Sequence, residues 1–215
     1  MFKMKIGVIG ATGHTGQEIV KQAQARGIEV TAIVRSTAKA NKILGSDVPV
    51  IEKDALSLTY DDLSNFDYVV DAFASREATY QHLDLAARLV SAFRNDATTT
   101  LFFILGASSL KQANGQPLLD NILKENAGQP WIQTPIQQVH EYAFLQWVDN
   151  VNWTAISPQA SFVPGPKTTY RIGKDDLLTN KEGQSKVSTG NLASAVLDEI
   201  ENPTHLHERF SVVDD

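Results

Sequence analysis

The stretch that most narrows the fold is residues 5–16, "KIGVIGATGHTG", where a short apolar run breaks into glycines at positions 10, 13 and 16. The helical pattern of residues 14–26 follows directly, so the segment reads as the first strand, tight turn and first helix of a βαβ unit. Glycine carries no Cβ, so such a turn lets another group approach the backbone. The helix behind it adds unpaired N–H donors and about half a positive charge. A dinucleotide pyrophosphate is the group that fits. Gly7, inside the strand, serves close packing rather than a ligand. Thr12 and His14 belong to the same turn, His14 either meeting the phosphates or standing solvated in the first helical turn.

The same strand-then-helix alternation recurs along the chain. Apolar runs appear in "IEVTAIV", "VPVIE", "DYVVDAFA", "TTTLFFILGA", "NWTAIS" and "RFSVV". Continuously apolar strands separated by helical patterns belong to a parallel sheet covered on both faces. Helices are expected over 14–26, stopped at Gly27; over 36–44, capped by Ser36 and stopped at Gly45; over 76–94; over about 135–148, with Pro135 in the first turn; and over 189–201, capped by Ser188 or Thr189. His82, on the core-packed third of these, is incidental. The expected fold is α/β, a Rossmann-type doubly wound parallel sheet in a single domain spanning 1–215, with a small C-terminal substrate-side excursion. Residues 107–134 and 157–187 break the alternation after strand C-termini, where doubly wound folds bind ligands, and are expected to wall a substrate pocket.

Composition removes several alternatives. The net charge is −6, with 19 Lys and Arg against 25 Asp and Glu and no basic stripe, which argues against a nucleic-acid partner. There is no cysteine, so thiolate metal sites and cysteine nucleophiles are excluded, and the five scattered histidines suggest no metal site. His205 and His207 read as a solvated pair. No apolar run approaches the ~18 residues of a membrane span, and the opening run is too short for a secretory signal, so the expected location is cytoplasmic. The oligomer is left open between monomer and homodimer.

The second strand indicates which dinucleotide. An acid about 20 residues after the glycines would hold a ribose 2′-hydroxyl, whereas Arg there suits a 2′-phosphate. "TAIVRSTAKA" puts Arg35 at the strand end and Lys39 one helical turn on, with no acid at that end, so NADP(H) is preferred over NAD(H). After the third strand, Asp54 and Ala55 are placed for the adenine edge, Asp54 serving either as a ligand contact or as a turn-former. Phe73 and Ala74, after the fourth strand, pack beside ribose or pyrophosphate.

With these residues in view, the chain resembles the atypical, NAD(P)-binding, NmrA-like branch of the short-chain dehydrogenase/reductase superfamily, most nearly bacterial proteins named as NADH-flavin reductases and related by fold to biliverdin/flavin reductase. The resemblance spans nearly the whole chain through "KIGVIGATGHTG", "GASSL", "SPQASFVPGPKTTYRIGKDDLL", "KVSTGNLASAVLDEIENPTH" and "RFSV". It implies that Gly10, Thr12, Gly13, His14, Thr15 and Gly16 bind the pyrophosphate, Arg35 the adenosine phosphate, and Asp54 with Leu56 the adenine side. Ser108 and Ser109 are the candidate catalytic side chains, bordering the nicotinamide with Pro158, while Phe162, Tyr170 and Arg171 face the acceptor.

One departure bears on the reaction. Typical members use Tyr-x-x-x-Lys, in which the ammonium lowers the phenol pKa for proton transfer at a carbonyl. Here Tyr142 is followed four residues later by Gln146, a neutral amide. Alcohol or ketone chemistry is therefore disfavoured, and His140 reads as a helix-surface residue. Hydride delivery to a flavin, quinone or similar planar acceptor needs positioning above all. The expected activity is that of an NADPH-dependent reductase of such acceptors, flavin entering as substrate. The alternative is an NADP(H)-sensing regulatory protein without catalysis.

Overall fold

The computed structural model describes residues 3–215, so residues 1–2 of the single domain expected over 1–215 lie outside the described residues. Strands β1 (Lys5–Ile9), β2 (Glu29–Val34), β3 (Val50–Glu52), β4 (Tyr68–Asp71), β5 (Thr100–Ile104) and β6 (Trp153–Ser157) coincide with the apolar runs of the sequence. Two short strands, β7 (Ser161–Val163) and β9 (Lys186–Ser188), pair with each other alone. β8 (Tyr170–Gly173) and β10 (Arg209–Asp214) complete an eight-stranded sheet of order β3-β2-β1-β4-β5-β6-β10-β8. All its pairings are parallel except β8 with β10. The order reverses between β1 and β4, and that switch point opens the cleft of a Rossmann-type fold at the strand C-termini.

Helices α1 (His14–Ala25), α2 (Thr37–Leu44), α3 (Tyr60–Leu63), α4 (Gln81–Ala92), α6 (Gln133–Leu145) and α7 (Thr189–Glu201) divide between the two faces, and α5 (Leu118–Glu125) joins neither core. Ile19, Val20 and Ala23 of α1, Ala40 of α2 and Leu192, Val196 and Ile200 of α7 share a core with Ile6 and Val8. Leu85, Leu89 and Val90 of α4 and Leu145 of α6 share the other with Ile9, Phe103 and Trp153. Strands buried from both sides explain why their runs are apolar without alternation. Helix ends follow the sequence signals closely. Gly27 and Gly45 stand at positive φ after α1 and α2, and the Ser36 hydroxyl accepts the Lys39 N–H at 3.3 Å. The helix expected over 76–94 starts only at Gln81, and α3 and α5 lie where no helix was predicted. His82 is buried against the 75–78 turn, with Nε2 near Ser75 N. No helix among the described residues is long and apolar enough to cross a membrane.

The 157–187 excursion divides after its first six residues. Residues 158–162 stay at the cleft, whereas 164–169 fold back onto α7 and β8 extends the far sheet edge. Asn191, fully buried, fixes this return: its Nδ2 donates to Thr168 Oγ1 at 2.8 Å, to the Thr169 carbonyl at 3.1 Å and to Asp214 Oδ1 at 2.8 Å, while its Oδ1 accepts the Thr168 N–H at 2.7 Å. Every polar atom of that side chain is satisfied, so the amide is a fastener. Next to it Gly190 lies against the backbone of Pro166 and Lys167, with no room for a Cβ. Gly190→Ala should therefore cost about 2–3 kcal/mol of stability by forcing the turn off α7, as measured by urea unfolding.

Candidate functional site

The site begins where β1 ends. Gly10 has φ of +74°, and a Cβ there would stand 2.6 Å from the Ala72 carbonyl oxygen at the end of β4. Gly16 is buried against the Gly10 carbonyl and Ala11, so its lack of a side chain serves the shape of the turn. Gly13 is exposed; its N–H donates to the Gly10 carbonyl at 2.9 Å, and it stands at the N-cap of α1 without a side-chain cap. The N–H groups of His14, Thr15 and Gly16 have no acceptor among the described residues. Free donors on a helix N-terminus, beside a bare backbone turn, suit a pyrophosphate.

Two cavities meet at this turn and share the segment 72–74. The first, about 270 Å³, is lined by Gly10, Thr12, Gly13, Arg35, Lys39, Asp54, Phe73 and Ala74. Neither the Arg35 nor the Lys39 side chain enters an ion pair or hydrogen bond among the described residues. Asp54 Oδ1 accepts the Leu56 N–H at 2.9 Å, so it also forms the turn after β3. The second cavity, about 360 Å³, takes in Thr15, Phe73, Ser108, Trp131, Pro158 and Phe162. Leu118 and Ile122 of α5 supply an apolar wall, and Gln138 of α6 lies over Gly106. The 107–134 excursion thus contributes α5 and Trp131 to the cleft.

Five expected residues stand elsewhere. His14 opens onto a separate surface hollow with Gln17 and Pro164–Lys167, because the first turn of α1 points it away from the glycines. Leu56 is half-buried against the α4 core and lines neither cavity. Tyr170 and Arg171 lie on the edge strand β8, since the excursion continues the sheet instead of covering the cleft. The Tyr170 hydroxyl donates to Asp198, and the Arg171 guanidinium bonds Asp215 Oδ1 at 3.2 Å and the Thr179 carbonyl at 2.7 Å. Ser109, unlike its neighbour Ser108, turns away from the cleft, where its hydroxyl accepts from Arg209 at 2.9 Å.

Arg209, at the start of β10, lies next to the cleft and was not singled out by the sequence. Its guanidinium is 1% exposed, bonds Ser157 Oγ at 3.2 Å and Asp175 Oδ1 at 2.5 Å, and stacks 4.3 Å over the Tyr142 ring. Tyr142 sits in a polar hollow with Gln146, Lys174 and Asp175, outside the cleft. Burial raises its phenol pKa, Arg209 opposes the rise and Asp175 adds to it, so the net shift is upward. His140 is exposed on α6. Among the described residues no three acidic or histidine side chains converge as a metal would require.

Behind the 72–74 segment lies a buried pair of acids, Asp71 at the end of β4 and Glu141 on α6. Asp71 Oδ1 accepts the Phe73 N–H at 2.9 Å, and Glu141 Oε2 has no partner among the described residues. Burial pushes the Asp71 carboxyl up to about 7. Burial, with the Asp71 charge adding to it, raises Glu141 well above the usual carboxylate range. An acid inside the apolar run "YVVDAFA" is the signal that could have exposed Asp71, as an arginine inside "RFSVV" could have exposed Arg209.

The comparisons with known proteins agree with this geometry. A family model described as NAD(P)H-binding matches residues 10–203. The chain belongs to the NAD(P)H-binding family. Among members of known sequence, the uncharacterised YwnB of Bacillus subtilis is 40% identical over 98% of both chains. A solved structure of a Lactobacillus casei protein is 44% identical, covers 98% of this chain and 99% of its own, and superposes with a TM-score of 0.93. A Streptococcus pneumoniae structure described as "a putative NADH-flavin reductase" is 32% identical, covers 99% and 100% of the two chains, and has a TM-score of 0.87. These bear out the NAD(P)H-binding, Rossmann-type expectation, and the family implies a nicotinamide cofactor.

The buried acids make stability depend on pH. Both carboxyls stay protonated in the folded chain at pH values where the unfolded chain releases the proton, so the folded state binds more protons and loses stability as pH rises from about 4 through about 7. Asp71→Asn keeps an acceptor for Phe73 N–H and removes one of the charges. Urea unfolding at pH 5 and pH 8 should therefore show the wild type losing on the order of 1–3 kcal/mol across that interval and the variant losing clearly less.

Proposed function

We propose that the protein is an NADPH-dependent oxidoreductase whose acceptor is a flavin, a quinone or a similar planar ring system. The observation that carries this reading is the 360 Å³ cavity joined to the nucleotide side at Ala72–Ala74, walled by Phe73, Leu118, Ile122, Trp131, Pro158 and Phe162 and containing no charged side chain. Such a wall favours a flat apolar body, which aromatic side chains contact face-on or edge-on.

When bound, the nicotinamide supplies the hydride. The chain's own contribution is placement. The free N–H groups at the start of α1 hold the pyrophosphate, and Arg35 with Lys39 holds an adenosine 2′-phosphate through charge-assisted bonds. Phe73, Ser108 and Pro158 border the reacting ring, and the apolar wall beyond them keeps water from the transfer. Tyr142 supports the reading by its position: its phenol lies outside the cleft, and its pKa is raised, the opposite of what carbonyl protonation at neutral pH requires.

Purified protein mixed with NADPH and, in turn, FMN, FAD, riboflavin and a quinone should consume absorbance at the nicotinamide band with at least one acceptor. Tight nucleotide binding without turnover would instead favour a sensor. Arg35→Ala should weaken NADPH at least about 10-fold more than NADH in fluorescence titrations, and equal losses would remove the 2′-phosphate assignment. Tyr142→Phe should leave flavin reduction within a few-fold, whereas a collapse in a folded variant would restore a tyrosine mechanism.

A further inference from the structure

The end of β2 has no acid of its own, but the sheet brings one to it from the side. β3 runs parallel to β2 with Glu52 opposite Val34, the residue before Arg35. Lys53 N–H donates to the Val34 carbonyl at 2.9 Å, which holds that register at the strand ends. From there the Glu52 carboxylate reaches α2 and accepts the Thr37 N–H at 2.7 Å. Thr37 is the first residue of α2, so Glu52 occupies one of the donors that this helix start would otherwise hold toward an incoming anion.

The surrounding charges leave Glu52 opposed to a specific pair. Arg35 and Lys39 line the cavity on either side of the same helix start with unpaired side chains. Lys53 is tied to Asp62 at 2.5 Å, and Asp54 caps the following turn through Leu56 N–H, so both are engaged locally. The Thr37 hydroxyl and N–H hold the Glu52 carboxyl below its ordinary range, which keeps it ionised at neutral pH. A phosphate at the ribose 2′ position is drawn by Arg35 and Lys39 and repelled by Glu52. For a 2′-hydroxyl the balance differs, because a neutral group gives neither the cations nor the nearby carboxylate a charge to act on.

We infer that Glu52 is a specificity-determining residue of the nucleotide site, narrowing the margin by which the Arg35–Lys39 pair favours NADPH over NADH. The inference rests on the nucleotide reading of the cleft, but it concerns a change in ratio and so stands or falls separately from the preference itself.

The test is fluorescence titration of NADPH and NADH against the full chain at fixed ionic strength, for the wild type, Glu52→Gln and Glu52→Asp. Gln keeps an acceptor for Thr37 N–H without the charge. It should tighten NADPH by about 3- to 10-fold while NADH stays level. Asp keeps the charge on a shorter stem and should fall between, giving a second reading if Gln lowers the melting temperature sharply. Equal shifts for both nucleotides, or unchanged NADPH binding in folded variants, would overturn the role of Glu52. A wild type with no NADPH preference, whose ratio still moves in Glu52→Gln, would remove the preference and support Glu52. Binding of neither nucleotide by the wild type would overturn both.

Discussion

The cleft depends on one close approach of backbone to backbone, at Gly10. With φ of +74° and the Ala72 carbonyl where its side chain would be, this residue lets the end of β1 close against the end of β4. Gly16 repeats the arrangement one level down, against the Gly10 carbonyl. These contacts aim the N-terminus of α1 at the space between the strands, and they make Ala72–Ala74 a wall common to both cavities. A Cβ at either glycine would therefore disturb both cavities together. The turn is short of side chains because three backbone segments, and not a ligand alone, converge on it.

The cation that the Tyr-x-x-x-Lys pattern lacks is present in the fold, on a different element and with a different task. Arg209 meets the face of the Tyr142 ring, and its N–H groups are directed to Ser109, Ser157 and Asp175. Its two Nη groups are matched while its buried Nε has no partner among the described residues, and the matched bonds join β10, β6, the turn after β5 and the loop after β8. One consequence is that Ser109 faces the interior while Ser108 stays at the cleft. Adjacent serines that look equivalent in "GASSL" are separated by a residue a hundred positions away.

What could be read from the sequence follows from how local each signal is. β1 through β6, α1, α2 and α7 are specified by their own apolar runs and caps, and Gly10, Arg35, Phe73 and Pro158 come to the cleft because they follow strand ends. Tyr170 and Arg171 were misplaced because nothing in "KTTYRIG" reveals that it will pair with β10 in antiparallel fashion. α5 was missed since its eight residues have no side-chain cap, and Trp131 and Gln138 went with it because a wall built from a loop and a helix face is a tertiary fact. The position of Glu52 is tertiary in the same way: no spacing along the chain shows that it stands beside Val34. Asp71 and Arg209 belong between these cases, since a charge inside an apolar strand is visible in sequence, though its partners are not.

β10 is the last strand in the chain, yet it lies inside the sheet, between β6 and β8. The strands of the nucleotide side, β3-β2-β1-β4-β5, come from the first 104 residues and pair among neighbours, whereas the Arg209 anchor must wait for contacts across a hundred residues. Closing so long a loop is entropically slow compared with pairing nearby strands. During synthesis the glycine turn can thus take shape well before the serine turn after β5 is fastened. The glycine turn is a product of the early, local part of the chain, while the wall of the neighbouring cavity waits on the last strand to be fastened.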